Sequence, residues 1–307
     1  MSREDNNNAI SGVLVVDKPT GMTSHDVVNI VRRGTGIRRA GHTGTLDPRA
    51  SGVLVILVGP AVRLSEYISA SDKRYQAILR LGTATDTYDA EGAFTREEVV
   101  VEVTEEEFEV ELKKFEGDIE QVPPAYSAVK VKGRKAYEMA RKGEEVELEP
   151  RLIHVHHLEV LEWANPEVVV DVHCSSGTYI RSLANDLGEV LGCGAYLVGL
   201  RRTKNGRFSL RDAVPLRKLR EAFDAGDWYQ YVIPAAESLT EWPAIELDPD
   251  QVEQVRHGHR VPADPDIDPE TMVRGVSEAG ELVALLKIEE GESGGLEWQP
   301  KKVFFTS

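Results

Sequence analysis

Cysteine is almost absent from this sequence. Only Cys174 and Cys193 occur in 307 residues, and they form no CxxC pair. That excludes a disulfide-stapled scaffold and a cysteine zinc knuckle, and it fits a reducing compartment. Long hydrophobic runs are missing too: no stretch of about eighteen apolar residues exists, so no helical membrane span is expected. The opening segment, MSREDNNNAISG, lacks the basic-then-apolar pattern of a secretory leader, so a cytoplasmic chain is expected. There is no internal repeat and no low-complexity tract. Positive charge is scarce, with 36 Lys and Arg against 52 Asp and Glu and a net charge of −16.

The hydrophobic content of 41 % is enough for a real core. The length suits one large domain, 1–238, and a small one, 239–307. The acid is not spread evenly. Residues 81–120 carry a net −11 and residues 236–307 a net −10, whereas residues 1–80 carry +4 and 121–235 carry +1. A polyanion-binding face needs local positive potential rather than a positive total, so the balance does not exclude a nucleic-acid partner.

Periodicity and punctuation place the elements. Strands are expected at Gly12–Asp17, Val53–Val58, Lys73–Leu81, His154–Trp163, Glu167–Cys174 and Tyr196–Arg202. A helix capped by Ser24 should run through Val31 and stop near Gly34. Thr104 with Glu107 reads as a capping box opening a helix through Phe115. A helix is expected at Thr178–Leu191, and another at Lys135–Lys142, closed by Gly143. Beyond a linker around Ile233–Pro243, strands at Thr271–Val276, Leu282–Ile288 and Lys302–Thr306 describe a small, mainly β module. The segment 121–151, with Lys130, Lys132, Arg134, Lys135, Arg141 and Lys142, reads as a basic excursion from the core.

The sharpest local signal is Gly41-His42-Thr43-Gly44-Thr45-Leu46-Asp47-Pro48, a loop of two glycines and a proline around one carboxylate. No second acid or histidine accompanies it at metal-ligand spacing. Taken singly, Asp47-Pro48 reads better as a turn, Tyr75 as core and Arg181 as a surface ion pair.

Context decides between these readings. The loop follows Val16-Asp17-Lys18-Pro19-Thr20-Gly21 and precedes Asp72-Lys73-Arg74-Tyr75, Gly82-Thr83-Ala84-Thr85-Asp86-Thr87-Tyr88-Asp89 and Gly177-Thr178-Tyr179-Ile180-Arg181. Together these ordered motifs resemble the TruB family of tRNA pseudouridine-55 synthases, in its bacterial form, from about Gly12 to Phe208. The resemblance implies an α+β fold on a mixed, largely antiparallel sheet, followed by a small PUA-like β-barrel. It implies Asp47 as the catalytic carboxylate, Tyr75 as the base-stacking tyrosine beside the reacting sugar, and Arg181 as the partner of that carboxylate. His42 would fill the space left by flipped nucleotides, Tyr179 and Leu200 would wall the pocket, and Lys18 would lie at or near it. The implied partner is the T-arm stem-loop of tRNA, gripped by the 121–151 excursion. No metal, cofactor, guide RNA or obligatory protein partner is implied, and a monomer is expected. Ser176 departs from the family pattern, standing where a lysine is common, and so removes one phosphate contact. A guide-RNA-dependent synthase and an RNA-folding factor are the competing readings.

Overall fold

Strict alternation is the plainest link between sequence and structure here. In Lys73–Leu81 every odd-numbered residue is buried while Arg74 and Gln76 face outward, the period-two signature of a strand with one packed face. The computed structural model describes residues 10–304 apart from 128, 132, 145, 264–266 and 292–293. Lys132 and the end of the strand expected at Lys302–Thr306 therefore lie outside the described residues.

In chain order, β1 (Gly12–Lys18) leads to α1 (Ser24–Thr35), β2 (Ala40–His42) and β3 (Ser51–Val58). Then come α2 (Ser65–Ala70), β4 (Lys73–Leu81), α3 (Glu105–Lys113) and β5 (Gly117–Gln121). The excursion holds a short hairpin, β6 (Lys130–Val131) and β7 (Arg134–Lys135), and α4 (Ala136–Ala140). The chain returns through β8 (Arg151–Ala164), β9 (Glu167–Cys174), α5 (Ile180–Val190) and β10 (Ala195–Asn205). Next are β11 (Phe208–Ser209), β12 (Val214–Pro215), α6 (Leu216–Ala225) and β13 (Ile233–Pro234). The last part comprises β14 (Ala244–Leu247), α7 (Pro249–Arg256), β15 (Val261–Pro262), β16 (Val273–Ser277), β17 (Leu282–Glu290) and β18 (Leu296–Val303).

Two compact units emerge. The first contains residues 10–48, 53–69 and 207–304. In it β1 pairs in parallel with β12 and antiparallel with β13, while β2 runs antiparallel along β3. Val13 and Val15 of β1 share a core with Val53, Val55 and Leu57 of β3, with Phe208, and with Leu282, Leu285 and Phe304. The C-terminal strands form a five-stranded sheet in the order β14-β16-β17-β18-β15, with a second core around Leu247, Val255, Leu286, Ile288 and Trp298. This is the small β module expected from the turn signals. No helix among the described residues is long and apolar enough to cross a membrane.

The second unit contains residues 49–52 and 70–206. Its strands run β10-β4-β9-β8-β5, each antiparallel to the next, and the start of β3 adds a parallel pairing of Ser51 and Gly52 with Arg201 and Arg202. The sheet is therefore mixed and largely antiparallel, as expected. Gly52 has φ of +99°, and a Cβ there would meet the Arg202 carbonyl oxygen at 2.2 Å, so only glycine lets these backbones approach. Helix α5 packs on β10 and β4, and α3 on β8. Helix α3 turns Phe108 and Leu112 inward and leaves Glu105, Glu106, Glu107 and Glu109 in solvent, which accounts for part of the central acid.

Candidate active site

Within the first unit, the loop carrying Asp47 joins β2 to β3 and is held from both sides. Lys18, the last residue of β1, is fully buried. Its ammonium donates to the carbonyl oxygens of Pro19 at 3.0 Å, Met22 at 2.7 Å and Pro48 at 3.3 Å. The Gly21 N–H donates to the same Pro48 carbonyl at 2.8 Å. On the other side of Asp47, the Ser24 hydroxyl donates to the Leu46 carbonyl at 3.1 Å and accepts from the Leu46 N–H at 2.8 Å. Both backbone neighbours of a half-buried carboxylate are thus fixed by groups from the end of β1, the turn after it and the start of α1. A buried ammonium needs such carbonyls to offset its lost hydration. His42 ends β2, and its Nδ1 accepts from the Gly44 N–H at 3.3 Å.

Lys18 lies beneath the loop as its support. Lys18→Met should cost about 2–4 kcal/mol in stability, because it strips three carbonyls of a charged donor. Turnover should fall as the loop relaxes. Urea unfolding and turnover on the same preparation check this, and an unchanged unfolding curve would contradict it.

Within the second unit, Tyr75 of β4 pairs across to Arg202 of β10 and to Val172 of β9, and Leu200 pairs with Ala77. Directly opposed residues share a face, and Tyr75 and Ala77 are two apart, so Tyr75 and Leu200 lie on the same, packed face of the sheet. Tyr179 sits at the N-terminus of α5, where Gln121 grips its backbone reciprocally: Tyr179 N–H donates to Gln121 Oε1 at 2.7 Å and Gln121 Nε2 donates to the Tyr179 carbonyl at 3.1 Å.

Arg181, in the first turn of α5, is buried and ties three segments together. Its Nη1 donates to Asp89 Oδ2 at 3.3 Å and contacts the Thr87 carbonyl at 3.5 Å, while Nη2 donates to the Tyr126 carbonyl at 3.0 Å. Asp89 is itself oriented, accepting from Thr87 Oγ1 at 2.6 Å and from the Glu91 N–H at 3.0 Å. The preceding Tyr88 has φ of +62°, the only positive value at a non-glycine residue among those described. That conformation costs roughly 1–3 kcal/mol. It is held by Tyr88 N–H to the Thr85 carbonyl at 3.2 Å and Leu197 N–H to the Tyr88 carbonyl at 3.0 Å.

Comparison with known proteins agrees with these motifs. The model of the TruB family pseudouridylate synthase N-terminal domain matches residues 32–180, and that of the tRNA pseudouridylate synthase B C-terminal domain matches residues 181–240. The protein named tRNA pseudouridine synthase B from Solibacter usitatus is 42 % identical over 90 % of this chain and 95 % of its own length. Its counterpart from Symbiobacterium thermophilum is 46 % identical over 84 % of this chain and 86 % of its own. The chain belongs to the TruB family. The fold agrees as well: a solved Cbf5–Nop10–Gar1 complex contains a chain that superposes with a TM-score of 0.75 at 29 % identity, over 99 % of this chain and 88 % of that one.

In this TruB chain, the roles of Ser24 as a loop clamp, Gln121 as the grip on Tyr179 and Asp89 as the ion partner of Arg181 carry no local sequence signal. Asp89 lies within a segment that carries the family likeness, but nothing local assigns it a role. The basic excursion is less free than its composition suggests. Arg134 makes a two-pronged pair with Glu144, both bonds 2.8 Å, and the Arg141 guanidinium lies 5.6 Å from the centre of the Tyr137 ring.

Lys73 is a further buried cation on the Tyr75 face of β4. Burial pushes its ammonium down to about 8, and the Arg202 charge pushes the same way. An unfolded lysine titrates near 10.4, so between about 8 and 10.4 the folded state holds fewer protons than the unfolded state. The charging penalty is present in full below pH 8 and is relieved as pH rises through that window. Relative to Lys73→Met, the native chain should therefore gain up to about 3 kcal/mol between neutral pH and pH 10. Urea unfolding of both proteins at the two pH values checks this; a constant difference would contradict it.

Proposed function

We propose that this chain converts uridine 55 in the T-arm loop of tRNA to pseudouridine in the cytoplasm, as a monomer, without guide RNA, metal or cofactor. The observation that carries the reading is Asp47, the motif's single carboxylate, on a loop whose flanking peptides are pinned by Lys18, Gly21 and Ser24. The chemistry needs only such a group. The N1–C1′ bond breaks, the uracil turns, a C5–C1′ bond forms, and C5 loses the proton that N1 gains, so nothing is oxidised and nothing leaves. Asp47 acts as nucleophile at C1′ or as base toward the adjacent sugar proton.

The other residues serve binding and orientation. Tyr75 offers a ring on which a free base can turn, since stacking demands no single in-plane orientation and contributes roughly 1–3 kcal/mol. Tyr179 and Leu200 wall the pocket. His42 fills the vacancy left when the base leaves its stack, offsetting part of a cost of a few kcal/mol. Arg181 orients the catalytic carboxylate. The excursion grips the stem by shape, and residues 239–307 add affinity as a PUA-like module.

The test is incubation of the purified chain with an unmodified tRNA transcript and with an isolated T-arm hairpin, both in EDTA, followed by mapping of pseudouridine. Both should be modified at uridine 55 alone. Modification only after addition of a guide RNA or a protein partner would favour the guide-dependent reading instead.

A further inference from the structure

On the face of the sheet opposite Tyr75 and Lys73, the second unit gathers two imidazoles and a carboxylate. Asp72, His156 and His173 each present one donor atom, and these lie within 4.8 Å of one another. His156 Nε2 is already 2.9 Å from Asp72 Oδ2, and the His156 and His173 rings lie 4.6 Å apart between centroids. They come from three places in the sheet: the residue before β4, β8 and β9. We propose that Asp72, His156 and His173 form a binding site for a late first-row divalent metal ion, with Zn²⁺ as the ion it would take.

The backbone explains why these side chains meet. His173 pairs with Arg74 on one side and His157 on the other, while Tyr75 pairs with Val172. Alternation then puts Asp72 and His173 on the face of the sheet opposite Tyr75 and Lys73. His156 is the extra residue of β8 where the register shifts between Val155 and His157. A bulge of this kind re-aims a side chain, and here it delivers His156 to the face where Asp72 and His173 wait.

The surroundings favour a cation. His173 is half-buried and its ring stacks beside that of His156. Arg74, which with Lys204 is one of two cations acting on His173, is paired with Asp171 at 2.7 Å. The His154 ring lies 4.6 Å from that of His156, and its Nδ1 is fixed by Asp118 at 2.7 Å. Donors around a tetrahedral Zn²⁺ sit about 3.3–3.6 Å apart, from ligand bonds of about 2.0–2.2 Å. The Asp72–His156 contact, a hydrogen bond at 2.9 Å, would open slightly to admit the ion, and His173, whose donor lies within 4.8 Å of the other two, would close on it. Two imidazoles with one carboxylate select Zn²⁺ and its neighbours over Mg²⁺ and Ca²⁺, which prefer all-oxygen sets. Asp72 and His156 are 47 % and 34 % exposed, which leaves room for water to complete the coordination. A bound ion would staple β8, by which the chain returns from the excursion, to the start of β4.

The experiment is isothermal titration of the EDTA-stripped, desalted full chain with Zn²⁺, with Mg²⁺ as the control. One Zn²⁺ per chain should bind with Kd on the order of micromolar, while Mg²⁺ gives no saturable heat. His173→Asn and, separately, Asp72→Asn should each weaken Zn²⁺ binding at least tenfold, with the circular dichroism spectrum and turnover on tRNA preserved. Absence of saturable Zn²⁺ binding would overturn the proposal. So would unchanged affinity in both variants, which would place the ion elsewhere, for instance at His257 and His259.

Discussion

Asp47→Asn should stop turnover, lowering the single-turnover rate at least ~10⁴-fold, which corresponds to about 5.5 kcal/mol of barrier. Asparagine keeps the size and much of the hydrogen-bonding capacity of the side chain. It is a poor nucleophile and a very weak base, so the loss follows whichever role the carboxylate plays. The fold should tolerate the change. The clamp on this loop uses the backbone of Leu46 and Pro48, held by Ser24, Gly21 and Lys18, and exchanging a carboxylate for an amide between them leaves it intact. RNA binding should survive as well, because affinity comes from phosphate, shape and stacking contacts. Removal of one negative charge near a polyanion should tighten it slightly. The measurement is tritium release from C5-labelled uridine in tRNA, beside filter binding of the same protein. Tritium release at the native rate would remove Asp47 from the chemistry and turn attention to the RNA-folding reading.

What was legible in the sequence, and what was not, divides along the range of the interaction. Local signals read true. The alternation of β4, the apolar run of β3 and the capping box of Thr104 with Glu107 all appear where expected, the last with both of its hydrogen bonds. The start of α1 shows a near miss with a local cause. Thr23, not Ser24, is the cap, because the return bond of the box needs an acid three residues on, and Asp26 supplies it to Thr23. Ser24 is thereby freed for Leu46. The helix also runs past Gly34 to a left-handed cap at Gly36. Gly34 is there for close packing: a Cβ would meet the Phe223 ring at 2.2 Å, a neighbour no local pattern reveals. In β18 the strand begins at Leu296, well before the expected Lys302, and Pro300 is accommodated within it beside a register shift. The site divides in the same way. Asp47 and Arg181 stand out through motifs, whereas Asp89 needed its partner 92 residues away to become visible.

That pair supplies the second large effect. Arg181→Met should cut turnover by at least ~10³-fold, about 4 kcal/mol of barrier, by removing the group proposed to orient the catalytic carboxylate. Its cost in stability has a separate source. Arg181 and Asp89 have side chains only 10 % and 17 % exposed, and removing one member of a buried pair costs about 3–5 kcal/mol because the other charge is left without its partner. Asp89→Asn should be milder, since Arg181 keeps the carbonyls of Tyr126 and Thr87, and an asparagine oxygen can still accept from Thr87 Oγ1 and the Glu91 N–H. The double variant should lose about 1–3 kcal/mol less than the sum of the two, the coupling expected of a contacting pair. Turnover separates structure from chemistry. If Arg181 serves only to hold Asp89, Arg181→Met and the double variant should retain turnover in proportion to the folded fraction. If it also orients the carboxylate, both should remain inactive even at low temperature and without denaturant, where the folded population is restored. The Tyr126 contact adds a further readout. Arg181 ties the base of the excursion to α5, so Arg181→Met should also expose 121–126 to faster amide exchange, a change that Asp89→Asn should produce only weakly. Equal exchange in the two variants would assign the tether to the ion pair rather than to the arginine's own bond to Tyr126.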